Sequence, residues 1–282
     1  MSPRSSAPGP EFAALHRPGH PFLLPNAWDV ASALLLAKAG FPAVGTTSLG
    51  VTAAAGLVDG AGTGRAYTMA MAAAITARLA VPVTVDVEGG YSDDPAAVAD
   101  LAAELANLGA AGINLEDAAG GGLRPPAAQA AIIGAVVAAA PGLFVNARTD
   151  VYWLEAGPPP GRLAEAISRL EAYRDAGACG VFVPALPDIR GAAAITARIG
   201  LPLNVLWRPD QTMAQLAEAG VARVSTGSAP YRRALAAGLA TAIAARDGGP
   251  PPAPDVPYRQ LLNLLQAGER ERAGQSTPRS SA

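Results

Sequence analysis

Cysteine, lysine and histidine are almost missing from this chain. Among its 282 residues there is one Cys (Cys179), one Lys (Lys38) and two His (His16 and His20). A single Cys excludes an internal disulfide and a thiolate metal cluster. Both His stand near the N-terminus, which argues against a His-ligated zinc centre or a Ser-His-Asp triad within the body of the fold. Lys38 falls inside the helical stretch DVASALLLAKAG, far from any strand end. That excludes a Schiff-base mechanism, which needs a desolvated lysine at the site. Charge of one sign is lacking too: 21 basic residues against 23 acidic ones leave a net −2. No basic field is available for a nucleic-acid backbone or an anionic membrane. Gly, Arg or Asp interrupt every apolar stretch before about 18 residues, so no membrane span is expected. The opening MSPRSSAPGPEF lacks the apolar core of a signal peptide, and a cytoplasmic protein is the expectation.

Hydrophobic residues, by contrast, make up 50% of the chain, enough for a large core. Residues 1–19 are rich in Pro, Ser and Gly and read as a flexible arm. A Pro/Gly break at 247–257 separates an amphipathic helix at 258–272 from the body, and 273–282 reads as a disordered tail. Between them, over 20–246, one pattern recurs. A short β-type run is followed by an Ala/Leu-rich helix, which a Gly often closes. The runs are 22–27, 43–48, 81–88, 112–117, 144–150, 180–185, 202–207 and 223–227. Strand and helix alternating in this way imply parallel strands with crossover helices. Eight such units close most simply into a single (β/α)8 TIM barrel with an extra C-terminal helix. An open doubly wound sheet is the alternative, but no GxGxxG follows the first run.

Barrels of this type work at the C-terminal ends of their strands, and polar residues collect there. They include Asn26, Trp28 and Asp29 after run one, and Thr46, Thr47 and Ser48 after run two. Asp86 and Glu88 end run three, and Glu116 and Asp117 end run four. Asn146, Arg148 and Asp150 close run five, Asn204 lies in run seven, and Ser225 and Thr226 in run eight. Asp86 and Glu88, two apart on one strand, share a face. With Glu116 on the next strand they form a carboxylate rim. Carboxylates without His or Cys suit a hard cation, Mg2+ or Mn2+ in its place. The other reading pairs Glu88 or Glu116 with Arg148. Arg148 itself can clamp a carboxylate or phosphate bidentately, or it can neutralise the acidic rim. Cys179, just before run six, reads as a small buried hydrophobe, and His16 and His20 as surface residues.

The motifs NAWD, TSLG, GLVDG, DVEGGY, GINLED, NARTD, FVPA and PLNV, in this order over roughly residues 20–240, resemble the isocitrate lyase / phosphoenolpyruvate mutase superfamily. The resemblance implies a (β/α)8 barrel that binds Mg2+ and makes or breaks a C–C or C–P bond next to a 2-oxo acid. It implies Asp86 as direct metal ligand, with Glu88 and Glu116 ligating directly or through water. Arg148 would hold the substrate, Thr47, Ser48 and Leu49 would receive its carboxylate, and Asp59 would lie over the site. Asn146, Asn204 and Trp28 complete the expected substrate contacts. A metal-stabilised enolate of a small 2-oxo or 2-hydroxy acid is the implied intermediate, and a homotetramer or homodimer the implied assembly. Leu261, Leu262, Leu264 and Leu265 on the last helix need cover, which a neighbouring subunit would supply.

One departure stands out. Family lyases that cleave isocitrate or methylisocitrate carry a Cys-containing loop after the fourth strand. Here that stretch is AAGGGLRPPAAQ, without Cys, Lys or His. It reads as a Gly-rich lid whose only charge is Arg124. Two rival readings remain at this point: a non-catalytic barrel that binds a metabolite, and a class II-type 2-oxo acid aldolase.

Overall fold

The computed structural model describes residues 8–250, 253 and 256–275. One parallel sheet dominates. In chain order its strands are β1 (Phe22–Leu24), β2 (Asn26–Ala27), β3 (Val44–Thr46), β4 (Val83–Asp86) and β5 (Gly112–Glu116). A two-stranded hairpin, β6 (Ala118–Ala119) and β7 (Gly122–Leu123), interrupts the series. The sheet continues with β8 (Phe144–Arg148), β9 (Gly180–Phe182), β10 (Leu203–Leu206) and β11 (Arg223–Ser225). The strand order β1-β11-β10-β9-β8-β5-β4-β3-β2 runs once around a barrel. Its two ends, β1 and β2, are halves of the first run. Pro25 stands between them, lacks an N–H, and breaks the ladder there. The lower half pairs with β11 and the upper half with β3. Asn26 closes the seam. Its Oδ1 accepts from the Thr226 and Gly227 N–H groups at 3.0 and 2.9 Å, and its Nδ2 donates to the Thr46 carbonyl at 2.7 Å. The expected barrel is therefore the observed one, with its first strand bent in two.

The helices are α1 (Pro8–Ala13), α2 (Val30–Lys38), α3 (Ser48–Ala54), α4 (Arg65–Thr76), α5 (Pro95–Asn107) and α6 (Pro126–Ala139). They continue as α7 (Arg162–Asp175), α8 (Ile189–Ile199), α9 (Met213–Glu218), α10 (Ala229–Asp247) and α11 (Tyr258–Gln275). Several begin where the sequence supplies a cap. Asp29 accepts from the Ser32 N–H at 2.7 Å, Asp188 from Gly191 at 2.9 Å and Thr212 from Gln215 at 3.2 Å. Such caps contribute about 1 kcal/mol each. Asp29, expected among the rim residues, is thus a helix cap.

Strand parity sorts the interior. Val83, Val85, Ile113, Leu115, Val145, Val181, Val205 and Val224 are buried apolar residues, and most join the core between sheet and helices. The alternate positions, Thr84, Asp86, Asn114, Glu116, Asn146, Arg148, Asn204 and Arg223, face the lumen. Gly180 shares that face. A Cβ there would lie 2.9 Å from the Phe144 ring and 3.1 Å from Asn146 Oδ1, so the position leaves room for two larger lumen residues.

Both chain ends depart from expectation. The arm 1–19 is not loose over its described part. Helix α1 closes the bottom of the barrel with Phe12, which is fully buried. His16, expected on the surface, is buried as well. Its ring stacks on Phe144 at 4.1 Å, and its Nδ1–H donates to the Phe12 carbonyl at 2.9 Å. The short FAAL segment buries more apolar area than its Pro/Gly surroundings suggest. At the other end α11 packs against α2 of its own chain, where Leu264 is buried and Leu265 partly so. Leu262 remains exposed. The expected tail lies mostly outside the described residues, as does part of the 247–257 linker. Among the described residues no helix is long and apolar enough to cross a membrane.

Candidate active site

The C-terminal rim gathers acidic side chains around one arginine. Asp86 ends β4. Its backbone N–H donates to Thr46 Oγ1 at 2.9 Å, and its Oδ2 accepts from the Ser48 N–H at 3.3 Å. Its Oδ1 is buried and makes no hydrogen bond among the described residues. Glu88 follows in a left-handed backbone conformation, φ +51°. Such a conformation is strained for a residue with a side chain and clusters at functional sites. Glu88 Oε2 accepts from the Gly62 N–H at 3.3 Å, while Oε1 is buried without a partner. Burial pushes the Glu88 carboxyl up to about 7, with Asp59 and Asp86 repulsion adding and the Gly62 bond opposing. Asp59 belongs to an exposed loop, yet its carboxyl reaches back to Ser48. Loss of water raises its pKa, and the neighbouring Asp86 charge adds to the rise.

Arg148 ends β8 and is held on three sides. Its Nε and Nη2 donate to the two oxygens of Asp150 at 2.5 and 2.8 Å, and its Nη1 pairs with Glu116 Oε2 at 2.8 Å. The guanidinium lies 5.6 Å from the Phe182 ring centre and 5.9 Å from that of Trp153. Burial raises the Glu116 pKa, and the Asp150, Asp86 and Asp59 carboxylates add to it against the pull of Arg148. Here the pairing of Glu116 with Arg148 is real, and one Glu116 oxygen is committed to it.

Asp117 is the residue that sequence reasoning underrated. Adjacent to Glu116, it faces away from the lumen and is fully buried. Its Oδ1 accepts from the Asp150 N–H at 2.8 Å. Its Oδ2 accepts from the Thr149 and Tyr173 hydroxyls, each at 2.7 Å, and from Arg169 Nη1 at 3.3 Å. It therefore anchors the segment that carries Asp150, which in turn orients Arg148. Parity was the available signal, since position 117 faces the helices if 116 faces the lumen.

The stretch after the fourth barrel strand is not a lid hinged around a free Arg124. It forms the hairpin β6–β7, and Arg124 behind it is buried. Arg124 donates to Asp93 Oδ1 at 2.7 Å, Gln129 Oε1 at 3.0 Å and the Ser92 carbonyl at 3.0 Å. Its own carbonyl accepts from Arg169 at 2.8 Å. These bonds pin the hairpin to the barrel. Beside it opens a cleft of about 180 Å3, lined by Gly60, Gly62, Glu88, Glu116, Ala119 and Arg124 among others.

The other expected site residues are distributed unevenly. Thr47 and Ser48 are buried at the start of α3, with Leu49 half-buried beside them. Trp28 is half-buried at the rim, its ring 5.6 Å from that of Tyr231. Asn146 and Asn204 lie lower in the lumen. Asn146 Nδ2 donates to Asn114 Oδ1 at 2.8 Å, and the Asn204 side chain makes no hydrogen bond among the described residues.

The donor set fits a hard cation in one specific way. Among the described residues no three His, Cys, Asp or Glu side chains form a ligand cage, because Glu88 turns to the Gly62 loop and Glu116 to Arg148. Mg2+ needs no such cage. It keeps several waters and takes one or two carboxylates together with substrate oxygens. The free oxygens of Asp86 and Glu88 match that demand.

Comparison with known proteins agrees with the barrel fold. The sequence profile described as phosphoenolpyruvate phosphomutase matches residues 12–246. An uncharacterized protein of Mycobacterium tuberculosis is 47% identical over 254 residues, covering 90% of this chain and 95% of its own. The 2-methylisocitrate lyase of Bacillus subtilis (strain 168) is 32% identical over 189 residues, covering 64% and 60%. A crystal structure from Burkholderia cenocepacia J2315, provisionally named a phosphonomutase, superposes with a TM-score of 0.79 at 41% identity, covering 84% and 99%. The same fold recurs in phosphonopyruvate hydrolase solved with oxalate and Mg2+, with a TM-score of 0.80 at 22% identity over 96% and 99%. The chain belongs to the phosphoenolpyruvate phosphomutase family, within the isocitrate lyase / phosphoenolpyruvate mutase superfamily.

Proposed function

We propose that this chain is a Mg2+-dependent lyase that cleaves a C–C bond next to the carboxylate of a small 2-oxo or 2-hydroxy acid. Two buried carboxylate oxygens without partners, Asp86 Oδ1 and Glu88 Oε1, carry this reading. Asp86 Oδ1 belongs to the carboxylate whose charge acts on Arg148 at the lumen mouth, and Glu88 Oε1 lies beside the Gly62–Gly64 loop. Bound there, Mg2+ or Mn2+ would supply Lewis-acid stabilisation of the negative charge that develops on the substrate C2 oxygen. Asp86 and Glu88 would hold it, with Glu116 acting through water. The Thr47-Ser48-Leu49 turn would receive the substrate carboxylate through the Leu49 backbone N–H, since the Thr47 N–H is bonded to the Ala27 carbonyl and the Ser48 N–H to Asp86 Oδ2. Arg148, fixed by Asp150 and Glu116, would present its remaining N–H bonds to the developing oxyanion at no cost in reorganisation. Asp59 would cover the site and exclude water. The pinned hairpin lacks the catalytic Cys of the isocitrate and methylisocitrate lyases, so those two substrates are not the ones proposed, and C–P cleavage is the lesser alternative.

An exposed stripe on α10 supports a homo-oligomer. Leu235, Leu239 and Ile243 recur every four residues on that helix and are 56%, 63% and 42% exposed. A stripe of that kind seeks cover, and a second copy of this chain in a homodimer or homotetramer would give it. The catalytic reading is tested by pyruvate release over a panel of C4–C6 2-oxo and 2-hydroxy acids, with Asp86→Ala as control. Release that needs Mg2+ and vanishes in the variant supports a lyase. Aldehyde formed together with pyruvate points instead to the aldolase reading. Silence across the panel without Mg2+ binding returns the chain to the non-catalytic barrel.

A further inference from the structure

Below the rim, the lumen holds polar atoms that the chain itself does not satisfy. Arg223 begins β11, and its side chain crosses the barrel. Its Nη2 donates to Asn114 Oδ1 on β5 at 2.6 Å, although β5 and β11 are not neighbours in the sheet. Its Nη1 faces His16 Nε2 at 3.4 Å, and its Cζ stands 5.9 Å from the Phe12 ring centre. The remaining donor, Nε, is buried without a partner among the described residues. The same holds for Asn204 Oδ1 and Nδ2, Thr84 Oγ1 and Asp86 Oδ1.

These atoms follow one path. Asn204 is in register with Arg223 on the adjacent strand. Asn114, which Arg223 reaches across the lumen, is in register with Asp86. Thr84 lies two residues before Asp86 and shares its face. A buried polar atom left unsatisfied is costly, and five of them on four lumen side chains call for a ligand. The set mixes donors (Arg223 Nε, Asn204 Nδ2) with acceptors (Asn204 Oδ1, Asp86 Oδ1), and Thr84 Oγ1 serves as either. Water both donates and accepts, and bridges such groups with about three hydrogen bonds each. An anion would leave the acceptors unmet and face the Asp86 carboxylate.

We propose that ordered water in the lumen joins Arg223, Asn204 and Thr84 to the free oxygen of Asp86, making Thr84 and Asn204 positioning residues for the carboxylate that takes the divalent cation. A carboxylate oxygen has two lone pairs, so Oδ1 accepts from a lumen water on one and keeps the other for the cation. The positioning half rests on the cation reading of the rim, and the water half does not.

Two measurements on the full chain separate them. A high-resolution crystal structure is expected to show water within hydrogen-bond distance of both Thr84 Oγ1 and Asp86 Oδ1. A dry lumen, or an anion in its place, overturns the water. Mn2+ titration followed by electron paramagnetic resonance then compares Thr84→Val with Thr84→Ser. Thr84→Val is expected to bind Mn2+ about tenfold more weakly, the usual consequence of losing an outer-shell partner. Thr84→Ser keeps the hydroxyl and is expected to restore binding. Equal affinity in Thr84→Val overturns the positioning role. A wild-type chain that binds no Mn2+ overturns it together with the cation reading, while the crystal structure still judges the water. If Thr84→Val does not fold, Asn204→Leu carries the same comparison.

Discussion

Replacing Asp117 by Ala should destabilise the protein more than any exposed rim substitution. The Asp117 carboxylate is fully buried and accepts from Tyr173, Thr149, the Asp150 N–H and Arg169. Removing it strands three neutral donors and weakens one charged partner. Each buried donor left unpaired costs about 1–3 kcal/mol, and breaking a buried ion pair costs roughly 3–5 kcal/mol. These losses do not add, because relaxation at one bond eases the others. Arg169 also keeps Glu165 at 2.7 Å and the Arg124 carbonyl at 2.8 Å. A net loss of about 3–5 kcal/mol is the expectation, a fall in melting temperature on the order of 10 °C for a domain of this size. Urea denaturation gives the free energy and its slope together. A loss below about 1 kcal/mol with an unchanged slope would refute the role of Asp117 as the anchor of the Asp150 segment.

Two further outcomes are expected. Burial, with the Arg223 charge adding, pulls the His16 pKa down to about 3 from its ordinary 6.5. The unfolded chain takes up that proton below about pH 6.5 and the folded chain does not. Stability from neutral His16 is therefore full above 6.5 and is lost as pH falls toward 3, by up to about 1.4 kcal/mol per pH unit. The raised Glu88 carboxyl works in the opposite sense, losing stability as pH rises from 4.5 toward about 7. Comparing wild type with His16→Gln isolates the histidine: their urea stabilities should converge as the pH drops from 6.5, and parallel curves would contradict the burial argument. For the assembly, Leu239→Glu should lower the mass seen by light scattering to that of the monomer. An unchanged mass would move the interface away from α10.

How far the sequence foretold this protein depends on distance along the chain. The strands were legible because β-branched runs such as VPVTVDVE and RVSTG alternate with Ala/Leu helices and end at Gly. The bend in the first strand was written in Pro25, but its effect depends on both neighbouring strands. Helix α1 was hidden by its Pro/Gly surroundings, and only Phe12 and Leu15 marked it as apolar. Arg124 and Arg223 carried no local signal at all. What binds them, Asp93 and Gln129 for one and Asn114 and His16 for the other, lies 5 to 207 positions away. Adjacency of Glu116 and Asp117 suggested a common role, whereas strand geometry sends them to opposite sides of the sheet.

The proposed function requires a divalent cation held at the rim through Asp86. Calorimetric titration of Mg2+ into the full chain tests it without knowledge of the substrate. One site per chain, abolished in Asp86→Ala while the variant keeps its melting temperature within a few degrees, is the expected result. Absent binding in the wild type, or equal binding in the variant, would contradict the account.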